Sequence, residues 1–143
     1  MRLQRIFNQG RITNLELYRQ LVDLDQNKVP AFNGCGNEFK INRAWWVIVD
    51  DGQIIAYCGC IYTEGICIMN RAWVHKNYRG NGMQRKMILK RIEAAKQYCH
   101  TVITYTTSDN VHSANNLIKC GFKMYTPEYA YAGRDVLYWI RSL

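Results

Sequence analysis

The first regular pattern of apolar residues has helical spacing and follows a helix-start signal. The run Thr13-Asn14-Leu15-Glu16 has the form of a capping box, in which a hydroxyl and a carboxylate three residues later satisfy free backbone amides. Apolar residues then recur on one helical face, at Leu17, Leu21 and Leu24. We therefore predict an opening helix from this box to about Lys28, with Pro30 just beyond its end.

Three stretches of β-forming residues come next, with little sequence between them. They cover residues 44–49, 53–63 and 66–74. Asp51-Gly52 and Glu64-Gly65 separate them, and such pairs are typical of tight hairpin turns. The pattern predicts an antiparallel meander of three strands.

The second half of the chain alternates helical and strand patterns. One helical stripe consists of apolar residues that recur on the same face of a helix: Met83, Met87, Ile88, Ile92 and Ala95. Residues 101–106 alternate as a strand, and residues 111–119 form a short helix that stops at Gly121. Residues 122–125 and 135–140 predict a final pair of strands.

This order of elements favours an α/β (α+β) fold with a central mixed sheet, mainly antiparallel, flanked by helices. The strand–helix–strand unit from Ile66 to Thr106 implies one parallel crossover. The chain has 143 residues, of which 48% are apolar and 21% are charged. That length and composition suit one globular domain, which we take as residues 1–143.

The chain shows no membrane or export signal. No stretch approaches the ~20 consecutive apolar residues that a membrane span needs. The segment from Met1 to Gly10 contains two arginines and lacks the apolar centre of a signal peptide. We therefore expect a cytoplasmic protein with no membrane partner.

Six cysteines raise the question of disulfides or a metal site. A cytoplasmic chain long enough to build a core favours reduced thiols. Cys58 and Cys60 lie two apart, on the same face of a strand, and Cys35 and Cys67 are further candidates. The spacing is not that of a zinc site, and buried free cysteine is common, so we predict no metal.

The net charge of +8 favours anionic partners, such as phosphate-bearing cofactors or nucleic acid, without choosing among them. One segment does suggest an anion site, because Arg79, Gly80 and Gly82 lie between a predicted strand and a predicted helix. Free amides at a helix start attract phosphate, and glycine allows close approach of the backbone. The segment is neither a Walker loop nor a complete G-x-G-x-x-G motif.

These residues, in this order, resemble the GNAT superfamily, the GCN5-related N-acetyltransferases. The family motif is [RQ]-x-x-G-x-[GA], in which Arg79 takes the first position and Gly82 the fourth; the sixth position is Gln84 rather than glycine or alanine. Val74 precedes Arg79 by the family spacing. A second match is an asparagine after the next strand, here Asn110 followed by Ser113 and later by Gly121-Phe122. The chain also looks similar to short bacteriophage members of the family.

The resemblance implies acetyl-CoA as co-substrate and a V-shaped splay between two parallel strands, near Trp73 and Val74. The pantetheine arm would lie in that gap like an added strand. The pyrophosphate would bind the amides of residues 80–84, with Asn110 and Ser113 on the pantetheine side. The cofactor-binding residues expected from the resemblance are Trp73, Val74, Arg79, Gly80, Asn81, Gly82, Met83, Gln84, Asn110 and Ser113.

The implied chemistry is direct attack of an amine on the thioester. The resemblance makes the Val74 N–H the donor to the developing oxyanion. A tyrosine common in the family is Leu117 here, so Tyr125 or Ser113 are candidates for protonating the thiolate. No carboxylate lies on the preceding strand, so Asn70 is a candidate for holding a proton-relay water, with His75 as an alternative base.

The acceptor is expected between residues 32–36 and the final strand pair, where Tyr125, Tyr129 and Tyr131 would form an aromatic wall with Phe32. We expect an amine of a small molecule, peptide or protein. An amine carried by a nucleic acid and a non-catalytic role on the same fold are the alternatives. Homodimers are common in the family, but nothing in this sequence requires one.

Overall fold

The computed structural model describes residues 1–28 and 42–143, which form eight strands, three helices and a short 3-10 turn. In chain order these elements are β1 (Leu3–Asn8), β2 (Arg11–Ile12), α1 (Leu15–Lys28), β3 (Arg43–Asp50), β4 (Gln53–Thr63), β5 (Ile66–Val74), the 3-10 turn (Lys76–Tyr78), α2 (Met83–Ala95), β6 (Thr101–Thr107), α3 (Val111–Lys119), β7 (Lys123–Tyr125) and β8 (Val136–Ser142).

All eight described strands belong to one sheet, in the order β2-β1-β3-β4-β5-β6-β8-β7. Neighbouring strands are antiparallel except β5 and β6, which run parallel across the crossover made by α2. The predicted fold class, a mainly antiparallel mixed sheet flanked by helices, is therefore confirmed. The predicted meander and final strand pair also lie close to their expected bounds.

The prediction that the first element is a helix is wrong, because the hairpin of β1 and β2 precedes α1. The polar residues between Met1 and Gly10 concealed this hairpin, in which only Ile6 and Phe7 of β1 are fully buried and both residues of β2 are exposed. The start of α1 also differs from the expected capping box. Asn14, not Thr13, caps the helix through a 3.0 Å bond from the Leu17 N–H, while the Thr13 hydroxyl donates to the Arg5 carbonyl.

Two apolar clusters lie on opposite faces of the sheet. The first is formed with α2 and α3 and contains Trp46, Met87 and Trp139. The second is formed with α1 and contains Trp45 and Leu21. Adjacent tryptophans on β3 point to opposite faces because side chains alternate along a strand. One face of the sheet is therefore covered by α2 and α3, and the other by α1.

Helix α1 is also tied to the β3–β4 hairpin by one side chain. The Gln20 amide oxygen accepts from the Ile54 N–H at 2.5 Å, and its nitrogen donates to the Gly52 carbonyl at 3.3 Å. These bonds satisfy backbone groups that a tight turn would leave to solvent. The hairpin is thereby fixed to the helix that covers its face.

Five of the six cysteines lie in the described ranges, all as free thiols: Cys58, Cys60, Cys67, Cys99 and Cys120. Burial raises the pKa of the Cys58 thiol to about 11, so it stays protonated at neutral pH. Cys35 lies outside the described residues. Within residues 1–28 and 42–143, no group of three His, Cys, Asp or Glu side chains is arranged to hold a metal ion.

None of the helices in the described ranges has the length and apolarity needed to cross a bilayer.

Gly59 is required for packing against the Trp45 ring. The two residues are directly paired across β3 and β4, and a Cβ at Gly59 would lie 3.0 Å from a ring carbon of Trp45. We expect Gly59→Ala to destabilise the fold by about 1–3 kcal/mol through overpacking. The measurement is the free energy of unfolding in urea, and an unchanged value would mean that the buried Trp45 ring moves aside.

Candidate functional site

The parallel pairing of β5 with β6 stops halfway along both strands. Backbone pairing covers only three residue pairs, of which Ile68 with Ile103 is the last. One residue further on, the Met69 carbonyl accepts from the Thr104 side-chain hydroxyl at 2.9 Å. Beyond this point β5 and β6 diverge, and we call the gap between them the splay.

The edge of β5 that faces the splay presents backbone groups in a fixed alternation. The His75 N–H donates to the Ile55 carbonyl at 2.7 Å, so this pair is a hydrogen-bonded pair with β4. Val74 and Ala72 face Ala56 and Cys58 in the intervening, non-hydrogen-bonded positions. Their N–H and C=O groups therefore point away from β4 and into the splay.

Two glycines shape the turn that leads from β5 to α2. Gly80 and Gly82 have φ of +82° and +76°, a region that side chains disfavour. A Cβ at either position would meet nothing within 4 Å, so the surface above both glycines is open. Gly82 is the N-cap of α2, and the first-turn amides of that helix have no intrahelical acceptor. The turn is therefore a positive, accessible backbone surface.

The side chains around this turn are held by nearby groups. Arg79 Nε donates to the Val74 carbonyl at 3.0 Å, which leaves the Val74 N–H as the polar group facing the splay. The Tyr78 hydroxyl donates to the Asp50 carboxylate, and this bond raises the pKa of Tyr78. The His75 ring packs edge-on between Trp73 and Tyr78 and accepts from the Asn77 N–H through Nδ1.

The splay and the turn open into one cleft of about 550 Å³. It is lined by Ala72, Trp73, Val74, Tyr78, Arg79, Gly80, Gly82, Met83, Gln84, Met87, Asn110, His112, Ser113 and Asn116. Nine of the ten residues expected to bind the cofactor are in this set. The tenth, Asn81, is on the turn but turns its amide to the Tyr78 carbonyl.

Gln84, the departure from the family motif, joins α2 to α3 across the base of the cleft. Its amide nitrogen donates to the Ser113 hydroxyl at 2.8 Å, and its oxygen accepts from Asn116 at 2.6 Å. Asn116 also lies 3.3 Å from His112 Nε2. Sequence reasoning missed Asn116 and His112. Helical periodicity from Ser113 gives the signal for Asn116, which lies one turn further along the same face.

The motif asparagine, Asn110, caps α3 at the rim of the cleft. The Asn110 side chain accepts from the Ser113 N–H at 3.1 Å, which fixes the start of the helix and exposes Asn110 toward the cleft. Asn110 and Ser113 are thus brought next to the glycine turn, as the motif spacing predicts.

Two of the candidates for catalysis, Asn70 and Tyr125, lie outside the cleft lining. The Asn70 side-chain oxygen accepts from Arg43 Nη2 at 2.7 Å. Tyr125 lies on β7, where its ring packs against Tyr138 with centroids 6.4 Å apart, and burial raises its pKa. Of the five catalytic candidates, the structure places Val74 and Ser113 in the cleft lining, whereas Asn70, His75 and Tyr125 are not part of it.

A tyrosine cluster occupies the sheet face opposite α2 and α3, beyond the splay. Val102 and Trp139 belong to the core under α2 and α3, so strand alternation places Tyr105 and Tyr138 on the other face. Tyr131 contacts both rings, at 6.0 and 5.2 Å between centroids. Its hydroxyl is buried and has no hydrogen-bond partner among residues 1–28 and 42–143, and burial raises its pKa.

The expected aromatic wall is thus present only in part. Tyr125 and Tyr131 belong to the tyrosine cluster, whereas the Tyr129 side chain is 78% exposed. The other expected half, including Phe32, lies outside the described residues.

Residues 14–122 match the sequence profile described as the acetyltransferase (GNAT) family. The match covers well over half of the chain, so the protein belongs to this family of enzymes. Its members are acetyltransferases that use acetyl-CoA. No curated protein sequence matches the chain closely enough to add to the comparison.

Solved structures share the fold at low sequence identity. An IAA acetyltransferase from Bacillus cereus superposes with a TM-score of 0.75 at 17% identity, over 99% of both chains. An acyl-CoA N-acyltransferase from Pseudomonas aeruginosa gives the same TM-score and identity, over 99% of this chain and 100% of that one. A candidate streptothricin acetyltransferase from Bacillus anthracis, solved with acetyl coenzyme A, has a TM-score of 0.61 at 22% identity, over 71% and 64% of the two chains.

We expect Gly82→Val to weaken coenzyme A binding at least tenfold, about 1.4 kcal/mol, because a branched side chain would cover the open turn. The measurement is calorimetric titration with coenzyme A. Gly52→Val is the matched control, since Gly52 has a similar φ of +74° and equally open space but lies in the β3–β4 hairpin. Equal affinities in the two variants would exclude the turn from the cofactor site.

Proposed function

We propose that the protein is an acetyl-CoA-dependent N-acetyltransferase and that residues 1–143 act as one domain. The observation that carries this proposal is the edge of β5 in the cleft, where Ala72 and Val74 direct N–H and C=O groups into the splay. The amides of a pantetheine arm suit such an edge, as an added strand would. The amides of residues 80–84 lie at the same opening, where a pyrophosphate fits a helix N-terminus.

The residues of the cleft would promote the reaction mainly by orienting the reacting groups. A neutral amine forms the new C–N bond at the thioester carbonyl, the C–S bond breaks so that the sulfur leaves as a thiolate, and the nitrogen gives up a proton to water. The Val74 N–H faces the splay and would donate to the carbonyl oxygen as negative charge develops there. Arg79 keeps the Val74 carbonyl engaged on the same edge, so this N–H has a fixed direction.

The assignments to Asn70 and Tyr125 stay proposals without support from the cleft geometry. Asn70 already accepts a hydrogen bond from Arg43, and Tyr125 packs against Tyr138. Tyr78 lines the cleft, but its hydroxyl proton is directed at Asp50. We therefore propose that the amine loses its proton to water and that the thiolate leaves without a dedicated side-chain acid.

The acceptor we propose is a primary amine of a small molecule, peptide or protein. The tyrosine cluster lies on the opposite sheet face from α2, and its ring faces suit a cationic ammonium group before deprotonation.

We expect Val74→Pro to lower kcat about a hundredfold, because proline removes the N–H that faces the splay. The change breaks no bond to β4, since Val74 occupies a non-hydrogen-bonded position. Val74→Ala keeps the N–H and is the control. Initial rates of thiol release from acetyl-CoA with an amine acceptor give the comparison, and equal rates in both variants would remove Val74 from the mechanism.

The proposal is tested by titrating the protein with acetyl-CoA at low and high salt, followed by a screen of amines for thiol release. Micromolar binding and amine-dependent release would support it. Absence of binding would contradict it. Release only with amines on nucleic acid, at affinities that fall steeply with salt, would favour the alternative acceptor class.

A further inference from the structure

Strand β5 contains an extra residue just before the edge that faces the splay. Gly59 pairs with Asn70 and Cys58 pairs with Ala72, so Arg71 is an extra residue in the register of β5 with β4. Arg71 also has φ of +55°, a left-handed conformation that is unfavourable for a residue with a Cβ. This is a β-bulge, and it determines where the backbone groups of Ala72 and Val74 point.

The side chain of the bulge residue is held by helix α1. Arg71 Nη2 lies 2.7 Å from Asp25 Oδ2, and the two side chains are 7% and 2% exposed. A charge-assisted bond at this burial is directional, and an unfavourable backbone conformation persists only where surrounding contacts hold it. The bond to Asp25 therefore joins helix α1 to Arg71, the residue of β5 with a left-handed backbone conformation.

The residues on both sides of the bulge are fixed as well. Asn70 accepts from Arg43 on β3, which lies beyond β4 in the sheet, and the Met69 carbonyl accepts from Thr104 on β6. On the far side of the bulge, the Trp73 ring packs on the Tyr57 ring with centroids 5.7 Å apart. Burial, followed by the negative charge of Asp25, raises the pKa of the Tyr57 hydroxyl, so Asp25 also acts on this residue. Through the Arg71–Asp25 bond, α1 is therefore attached to β5 at the bulge, next to the edge that faces the splay.

We infer that Asp25 is a positioning residue for acetyl-CoA, acting through Arg71 on the direction of the Ala72 and Val74 backbone groups. This inference rests on the proposed function, because it assigns the splay edge to the cofactor. Helix α1 lies on the opposite face of the sheet from α2, so no motif in the glycine turn reveals this role.

The first test compares Asp25→Asn with Leu21→Ala. Leu21 lies one turn before Asp25 on α1 and is fully buried in the apolar cluster that contains Trp45. Its truncation therefore lowers stability but removes no bond to Arg71. We expect Asp25→Asn to weaken coenzyme A binding about tenfold at temperatures where the protein is folded, and Leu21→Ala to leave the affinity unchanged. Equal affinities for wild type and Asp25→Asn, or equal losses in both variants, would overturn the inference.

A double variant separates positioning from folding. In Asp25→Leu with Arg71→Met, no buried charge is left unpaired, so thermal stability recovers relative to Asp25→Asn. Affinity for coenzyme A stays low, because the directional bond to the bulge is gone. Recovery of wild-type affinity in the double variant would show that packing alone positions the edge.

Amide hydrogen exchange in the free protein gives a readout that needs no cofactor. We expect faster exchange at Trp73 in Asp25→Asn than in Leu21→Ala, because Trp73 pairs with Tyr57 directly beyond the bulge. Equal exchange in the two variants would contradict the inference. If wild type fails to bind coenzyme A while exchange changes as expected, the proposed function fails and the role of Asp25 in holding the edge stands.

Discussion

An interior strand that loses its neighbour halfway along exposes backbone hydrogen-bonding groups inside a sheet. Here β5 and β6 pair as far as Ile68 and Ile103 and then diverge. Buried backbone groups are costly without partners, so such a gap favours a ligand that supplies amides and carbonyls. The cleft, the direction of the Val74 N–H and the position of the glycine turn all depend on this divergence.

In the proposed site, recognition by backbone amides would account for the departure at the sixth position of the motif. The proposed anion surface consists of amides, which Gln84 retains whatever its side chain. The side chain itself points to α3 and bonds to Ser113 and Asn116, so it does not cover the turn. At Gly82 the requirement is stricter, because a positive φ and open space above the backbone are both needed.

Local patterns in the sequence predicted most of the sheet, because hairpin turns and helical stripes are local signals, and the resemblance to the family predicted nine of the cleft residues. The β1–β2 hairpin was missed because the buried residues of β1, Ile6 and Phe7, are consecutive and β2 is exposed, so no alternation marks the two strands. The bulge at Arg71 and the bond from Arg71 to Asp25 could not be predicted either. Both depend on the approach of residues far apart in the chain, which no spacing rule records.

The position of Asn70 shows why a residue type on the right strand is a weak guide to chemistry. The amide was a candidate for holding a water, yet it accepts from Arg43 and helps to fix the strand before the bulge. The next residue, Arg71, is engaged by Asp25, so two consecutive polar side chains on β5 serve to fix its path. A backbone N–H cannot change its direction independently of the strand that carries it. Where such a group is to stabilise a transition state, neighbouring side chains must therefore fix the path of that strand.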